Sequence, residues 1–285
     1  MNPKFTFIIL FFSLCFSVQI KAQYYYHYED FLNDSAFIVK NNIKIVNIRI
    51  PEIMGDTSKG FYPYQKLCFN PYGKLAWYEY DYVENNNRRK YYYLHYYNEQ
   101  ALRFKSRIFQ RCEGIDSLRE EVRYMHDENG RLIHEDHYQI FIQAYNEWSY
   151  SYAWVGDSLK LKMDDNGVLD SIRINNKGKE IEYNYNNMRC QTQYDEKGRR
   201  NRARYFWQNT QQTDEYKVDE AHFIYDIEDK LARIETDSCV ITFYYNEEGL
   251  PTSSMGISKF DGQKMQYMIF YDYEFRDGSS VAKRN

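Results

Sequence analysis

The densest run of titratable side chains is His126-Asp127 with His134-Glu135-Asp136-His137. These are zinc-site residue types, but a site needs its imidazoles convergent, each about 2 Å from the ion. The spacing opposes that. On a strand, His134 and His137 are an odd number apart and point to opposite faces, and His126 lies across a turn. No metal site is expected here. Asp164-Asp165-Asn166-Gly167 has the look of a calcium loop, yet aligning the loop on Gly167 puts Lys162 at its first ligand position and Arg173 at its last. Cations at both ends exclude an EF-hand.

Nucleophilic chemistry finds no better footing. The chain lacks a Gly-x-Ser-x-Gly elbow, and no cysteine stands beside a histidine and a helix start that would lower its pKa. No catalytic residue and no cofactor are assigned. A hydrolase with dispersed carboxylates stays open, because glycoside-cleaving pairs are defined by distance in space rather than in sequence.

The elements that would position any site come from a recurring pattern: an apolar or aromatic residue, Asp or Asn, two free positions, Gly, often a cation, often Leu. It reads Phe69-Asn70-x-x-Gly73-Lys74-Leu75, His126-Asp127-x-x-Gly130-Arg131-Leu132, Met163-Asp164-x-x-Gly167-Val168-Leu169 and Tyr194-Asp195-x-x-Gly198-Arg199. Further copies are Ile174-Asn175-x-x-Gly178-Lys179 and Tyr245-Asn246-x-x-Gly249-Leu250, with Asp229 replacing Gly after Tyr225-Asp226 and Ala101 replacing it after Tyr97-Asn98. Asp or Asn accepts backbone hydrogen bonds at a turn start, and Gly supplies the positive φ that closes a hairpin. Asp229 tolerates that conformation. Ala101 does not, so that turn is expected to take another geometry.

Counting back from Asp or Asn, the first, third and fifth residues share a strand face. They are Tyr97, His95, Tyr93; His126, Tyr124, Val122; Met163, Leu161, Leu159; Tyr194, Thr192, Cys190; Tyr225, Phe223, Ala221; and Tyr245, Phe243, Ile241. This face is expected to be buried in every unit. A unit with one apolar face cannot bury it alone, which is the logic of a repeat array. The expected fold is all-β: antiparallel hairpin repeats in an elongated or curled, solenoid-like sheet. Ile43, Ile45 and Ile48-Ile50 predict a first strand after a short helical stretch, acting as a cap over an exposed sheet edge. Longer units predict extra hairpin tips at 84–89 and 209–214.

On these residues the chain resembles the YD-repeat (Rhs-type) family, over roughly 69–251, with Tyr194-Asp195-x-x-Gly198-Arg199 the nearest copy. The resemblance implies strings of β-hairpins, which in that family sometimes curl into shells around a toxic C-terminal domain. This chain has few repeats, and only about two strands' worth of sequence follows Pro251, so no toxin function is carried over.

Tyrosine, at 31 residues against 13 glycines, is the compositional outlier. Its ring suits a half-buried pleated surface while its hydroxyl stays wet. Trp148, Tyr150, Tyr152 and Trp154 alternate with small residues. Reading Gly156-Asp157 as a two-residue turn pairs Trp154 with Leu159, Tyr152 with Leu161 and Tyr150 with Met163, which makes this a core face. The binding candidates are instead Tyr78, Tyr80, Tyr82, Tyr92 and Tyr96, placed opposite the apolar face, where exposed rings could stack sugars or receive a protein. The alternative is that the sheet curls and buries both faces here.

Lys4, the apolar run Phe5–Phe16 and the stretch ending Lys21-Ala22 have the layout of a secretory signal, too short for a membrane span of about 20 residues. Cleavage after Ala22 moves the formal charge from −4 to −6. A mildly acidic chain without a basic patch has no footprint for nucleic acid or an anionic membrane surface. Register places Cys190 and Cys239 on the buried face and Cys68 on the other. Cys112 is unassigned, and free thiols are favoured over a bridge. The expected layout is a signal peptide at 1–22, an N-terminal strand and cap at 23–62, a repeat domain at 63–275 and a polar tail at 276–285. The function expected is a non-enzymatic, exported scaffold or protein-interaction module of a bacterial cell envelope, periplasmic or at the surface. Its partner would be an envelope protein or, through the tyrosines, a glycan, with no membrane span after signal cleavage.

Overall fold

The computed structural model describes residues 34–53, 56–84, 87–112, 114–140, 145–185, 188–208, 215–237, 239–258, 265–278 and 280–281. The signal segment and the tip at 209–214 lie outside them. A short helix, α1 (Ser35–Lys40), leads into β1 (Ile43–Ile53), β2 (Asp56–Phe69), β3 (Leu75–Glu84), β4 (Asn87–Tyr97), β5 (Arg103–Cys112) and β6 (Ile115–His126). The chain continues through β7 (Leu132–Ile140), β8 (Tyr145–Val155), β9 (Leu159–Asp164), β10 (Gly167–Ile174), β11 (Glu180–Tyr185) and β12 (Met188–Tyr194). Then come β13 (Arg200–Gln208), β14 (Glu215–Tyr225), β15 (Leu231–Thr236), β16 (Cys239–Tyr245), β17 (Pro251–Ser258), β18 (Met265–Phe275) and the two-residue β19 (Ser280–Val281).

Each strand pairs antiparallel with its sequence neighbours, and β1 pairs both with β2 and with β18, through Val46↔Leu67 and Val46↔Tyr273. The described strands β1–β18 therefore close into an up-and-down barrel, and β19 adds to the end of β18. This corrects the expectation of an elongated or curled sheet. β1 is no cap over an edge. It is a wall strand, paired with β18 along Ile43–Arg49 as well as with β2, so this stretch is no open edge.

Seven of the turns are copies of one design. In the first, Asn70 N–H donates to Lys74 C=O and Gly73 N–H donates to Asn70 C=O, both at 2.9 Å. The Asn70 Oδ1 accepts from the N–H of Tyr72 and Lys74, both at 3.0 Å. The same backbone pair recurs at Asn98, Asp127, Asn175, Asp195, Asp226 and Asn246. Ala101 adopts φ +57° and completes this turn like the glycines, against expectation. The four hydrogen bonds converging on Asn98 hold it there despite a left-handed strain of about 1–2 kcal/mol. The Gly167 copy departs: Asp164 pairs directly with Gly167 across a two-residue tip. All seven shared turns join an even-numbered strand to the next one, so they gather at one end of the barrel. Gly167 lies at the other.

The aromatic residue of the motif has a defined task. Tyr97 donates its hydroxyl to Leu75 C=O, Tyr194 to Glu180, Tyr225 to Arg200, Tyr245 to Leu231 and Tyr273 to Pro251, at 2.7–2.9 Å. Trp154 Nε1 does the same to Leu132 at 3.1 Å. Each acceptor begins the preceding strand, two residues past Gly or its substitute. The donor thus latches one hairpin to the next where the ladder of backbone bonds runs out.

Strand alternation sorts the wall into an inner and an outer face. The inner face is packed along one arc, where Val46, Ile48, Leu67, Tyr271 and Tyr273 bury Ile38 of α1. Ala203, Ala221, Phe223, Ile234, Ile241 and Phe243 form a second cluster. Across β3–β10, by contrast, Val122 is the one buried apolar side chain among the described residues. A barrel of about eight strands is filled by its own side chains, whereas one of 16–18 encloses open space. The β3–β10 arc lines that space.

Candidate functional site

The inner wall of β3–β10 carries half-buried rings interleaved with charge. On β3 and β4, Tyr78, Tyr80, Tyr91 and Tyr93 form a platform, with centroids 5.6 Å apart for Tyr78–Tyr80, 5.4 Å for Tyr80–Tyr91 and 5.6 Å for Tyr78–Tyr93. His95 extends it, sharing a 2.7 Å hydrogen bond with Ser106. Burial, then the nearby Arg103, pushes this imidazole down to about 4, so it stands neutral.

The charged part lies on β6–β10. His137 stacks on Trp148 at 5.1 Å and meets Tyr150 edge-on at 5.3 Å. Its Nδ1 is 2.6 Å from Glu120 and its Nε2 is 3.7 Å from Glu135. Burial works against its charge, but the two carboxylates outweigh burial and hold the imidazole up at about 9. Glu135 accepts the Tyr152 hydroxyl and pairs with Lys162 Nζ at 3.0 Å. These donors overcome its burial and bring it down to about 2. With its oxygens engaged this way, Glu135 holds charge rather than shuttling protons. Lys162 Nζ sits 3.8 Å above the Tyr150 ring, and Lys160 Nζ 4.4 Å above Tyr152. Asp170, opposite Lys162 on β10, is buried and has its carboxyl raised by desolvation.

A single register step creates this cluster. Val155 pairs with Leu159, leaving a three-residue loop, so Tyr152 faces Lys162 and Trp154 faces Lys160. The expected two-residue turn is corrected: one added loop residue turns every side chain of β9 over. Leu159, Leu161 and Met163 are consequently on the outer face, not buried as expected, and the lysines point inward. The aromatic face of β8 does look inward as read, but it lines the lumen instead of closing a dry core. Lys160, Lys162 and Glu120 were missed by sequence reasoning. The signal that could have found them is the length of the Gly156-Asp157-Ser158 loop.

The predicted tyrosines do not form one surface. Tyr78 and Tyr80 belong to the inner platform, and the Tyr82 side chain lies outside the described residues. Tyr92 and Tyr96 are on the outer wall, Tyr92 against Phe109 at 5.1 Å and Tyr96 against Phe104 at 6.4 Å. The wall itself separates the two groups. His134 and His137 do take opposite faces, with His134 outside and bonded to Asp136 at 2.9 Å. Among the described residues Cys68, Cys112, Cys190 and Cys239 form no disulfide. Cys190 and Cys239 flank the second inner cluster, and Cys68 is on the outer face, where burial raises it to about 11.

Fold and site together define a closed, up-and-down β-barrel with a lumen lined by aromatic and charged side chains. No family model and no curated protein matches the chain. Similar solved structures include a porin-like protein from Bacteroides uniformis ATCC 8492, 12% identical, covering 81% of this chain and 98% of that one, with a TM-score of 0.41. A porin-like protein from Bacteroides vulgatus ATCC 8482 is 11% identical over 81% of this chain and 99% of that one, with a TM-score of 0.32. A chain of the TcdB2-TccC3-Cdc42 complex is 9% identical over 76% of this chain and 17% of its own length, with a TM-score of 0.28.

Proposed function

We propose that the chain is an exported, non-enzymatic binding module of a bacterial cell envelope that holds a glycan against the inner wall of β3–β10. The observation that carries this reading is the contrast between the two arcs. One is sealed with apolar side chains, and the other leaves rows of ring faces half-exposed beside fixed hydrogen-bonding groups. Flat aromatic faces with an apolar body and polar neighbours suit a sugar's two-sided character. The signal layout of residues 1–22 supports export, and the seven shared turns support reading the wall as degenerate YD-type repeats.

The outer wall supports a water-facing barrel rather than a lipid-facing one. A membrane barrel needs an outward apolar band about 25 Å tall. Here the outside carries Arg107–Glu121–Arg123, Arg202–Glu220–Arg204 and Arg49–Asp272.

The test is a glycan array probed with the purified exported protein, then with Tyr80→Ala, Trp148→Ala and the outer-wall variant Tyr92→Ala. Binding lost in the two inner variants and kept in Tyr92→Ala is the expected result. Binding that survives both inner substitutions would remove the lumen as the site. An array without signal, together with one envelope protein retained from extract, would favour the scaffold reading instead.

A further inference from the structure

Six of the nine even-numbered wall strands carry a latch among the described residues, and β6 is one of those that do not. At the ends of β4, β8, β12, β14, β16 and β18 an aromatic donor closes onto the first residue of the neighbouring strand. At the end of β6 the same position is His126, whose side chain makes no hydrogen bond among the described residues, and the facing strand begins with Arg103.

Arg103 and Lys160 are also the unpaired cations of this inner wall. The Arg103 guanidinium lies 4.5 Å over Tyr124, and Lys160 Nζ lies over Tyr152 and, at 6.0 Å, Trp154. Among the described residues neither has a carboxylate within ion-pair distance, whereas neighbouring Lys162 is paired with Glu135. The two cations lie close enough to act on one another and on His126. Burial is the main influence lowering both Lys160 and His126; on Lys160 the carboxylates of Glu135 and Glu180 oppose it more strongly than Lys162 and Arg103 add to it, and on His126 Arg103 and Lys160 lower while Asp127 raises. Like charges gathered in a recess repel unless an anion joins them.

We propose that Arg103 and Lys160 receive the anionic group of an acidic saccharide, a carboxylate or sulfate, whose ring lies among Tyr124, Tyr152 and Trp154. This rests on the glycan reading of the lumen and adds the charge of the ligand to it. Arg103 offers a planar fork that matches a carboxylate or sulfate in two hydrogen bonds, and Lys160 adds a mobile point charge.

Calorimetric titration with oligogalacturonate, alginate and chondroitin sulfate fragments, each beside its methyl-esterified or desulfated form, tests the assignment. At least one acidic form is expected to bind tenfold or more tightly than its neutral counterpart, and less tightly as salt rises. Arg103→Gln and Lys160→Gln should each weaken that binding about tenfold. Arg103→Lys should keep part of it, and Lys177→Gln, on an exposed turn, should leave it unchanged. Circular dichroism and melting of each variant separate lost binding from lost fold. Equal binding of acidic and neutral forms, or glutamine variants that are folded and bind like the parent, would overturn the anion site while leaving the glycan reading in place. Failure of every fragment, charged and neutral, would overturn both.

Discussion

Tyr273 on β18 donates its hydroxyl to the backbone carbonyl of Pro251 at the start of β17 at 2.7 Å, with only 1% of its surface exposed. Tyr194 makes the equivalent bond to Glu180 at 2.9 Å in an exposed setting. The same covalent group thus performs the same task with and without water nearby.

Removing the hydroxyl should therefore cost different amounts at the two sites. Tyr273→Phe leaves a buried carbonyl without its donor and should lose about 1–3 kcal/mol, while Tyr194→Phe should lose less than about 0.5 kcal/mol because water replaces the donor. Urea unfolding of both variants checks the order. Equal losses would mean that burial does not set what the hydroxyl contributes, and no loss at either site would mean that the latches act through ring packing alone.

The shared turn makes a second comparison possible. Ala101 is strained at φ +57° in open company with glycines, so Ala101→Gly should stabilise by about 0.5–1 kcal/mol, the relieved strain less the added chain entropy. Gly198→Ala should cost about 1–2 kcal/mol, since nothing stands within 4 Å of an added methyl. Gly73→Ala should cost clearly more, because the methyl would collide with the Ser35 carbonyl of α1. Melting temperatures in the order Ala101→Gly, parent, Gly198→Ala, Gly73→Ala are expected.

Stability should fall on both sides of neutrality for separate reasons. His137, raised to about 9 from the ordinary 6.5, adds stability that is complete below 6.5 and is lost as pH climbs through 9. His95, depressed to about 4, withholds a proton that the unfolded chain accepts, so stability is lost as pH falls from 6.5 towards 4. Urea midpoints of His137→Gln should lose the alkaline slope and keep the acid one. A variant with the parent's alkaline slope would show that another group titrates there.

The charged outer wall predicts behaviour in solution. Residues 23–285 should purify without detergent and remain in the aqueous phase on Triton X-114 partitioning. Recovery in the detergent phase would contradict the water-facing reading of the Arg107–Glu121–Arg123 and Arg202–Glu220–Arg204 sets.

The local grammar of this chain was open to reading. Asp195 and Gly198 announce their turn, and the inward faces of Tyr93–Tyr97, Cys190–Tyr194, Ala221–Tyr225 and Ile241–Tyr245 follow from counting by two. What was not local was lost. The lysines at 160 and 162 alternate with leucines in a pattern that reads as polar-outside, and only the three residues of the preceding loop reverse it. The tyrosines of β3 and β4 read as one exposed set because neither strand reveals which face is concave. Closure leaves still less trace: Arg49 and Asp272, joined across β1 and β18, stand 223 residues apart, and no short pattern in either strand marks its partner.

That one long-range seam bears on how the molecule comes into being. The other wall contacts form between sequential neighbours, so hairpins can assemble in order at small entropic expense. Joining β1 to β18 is then the final and slowest act, delayed until nearly the whole chain is present. Until it happens, the unfinished sheet shows two raw edges able to pair with those of another molecule. A newly made chain is thus most vulnerable to aggregation in the interval before its first and last wall strands meet.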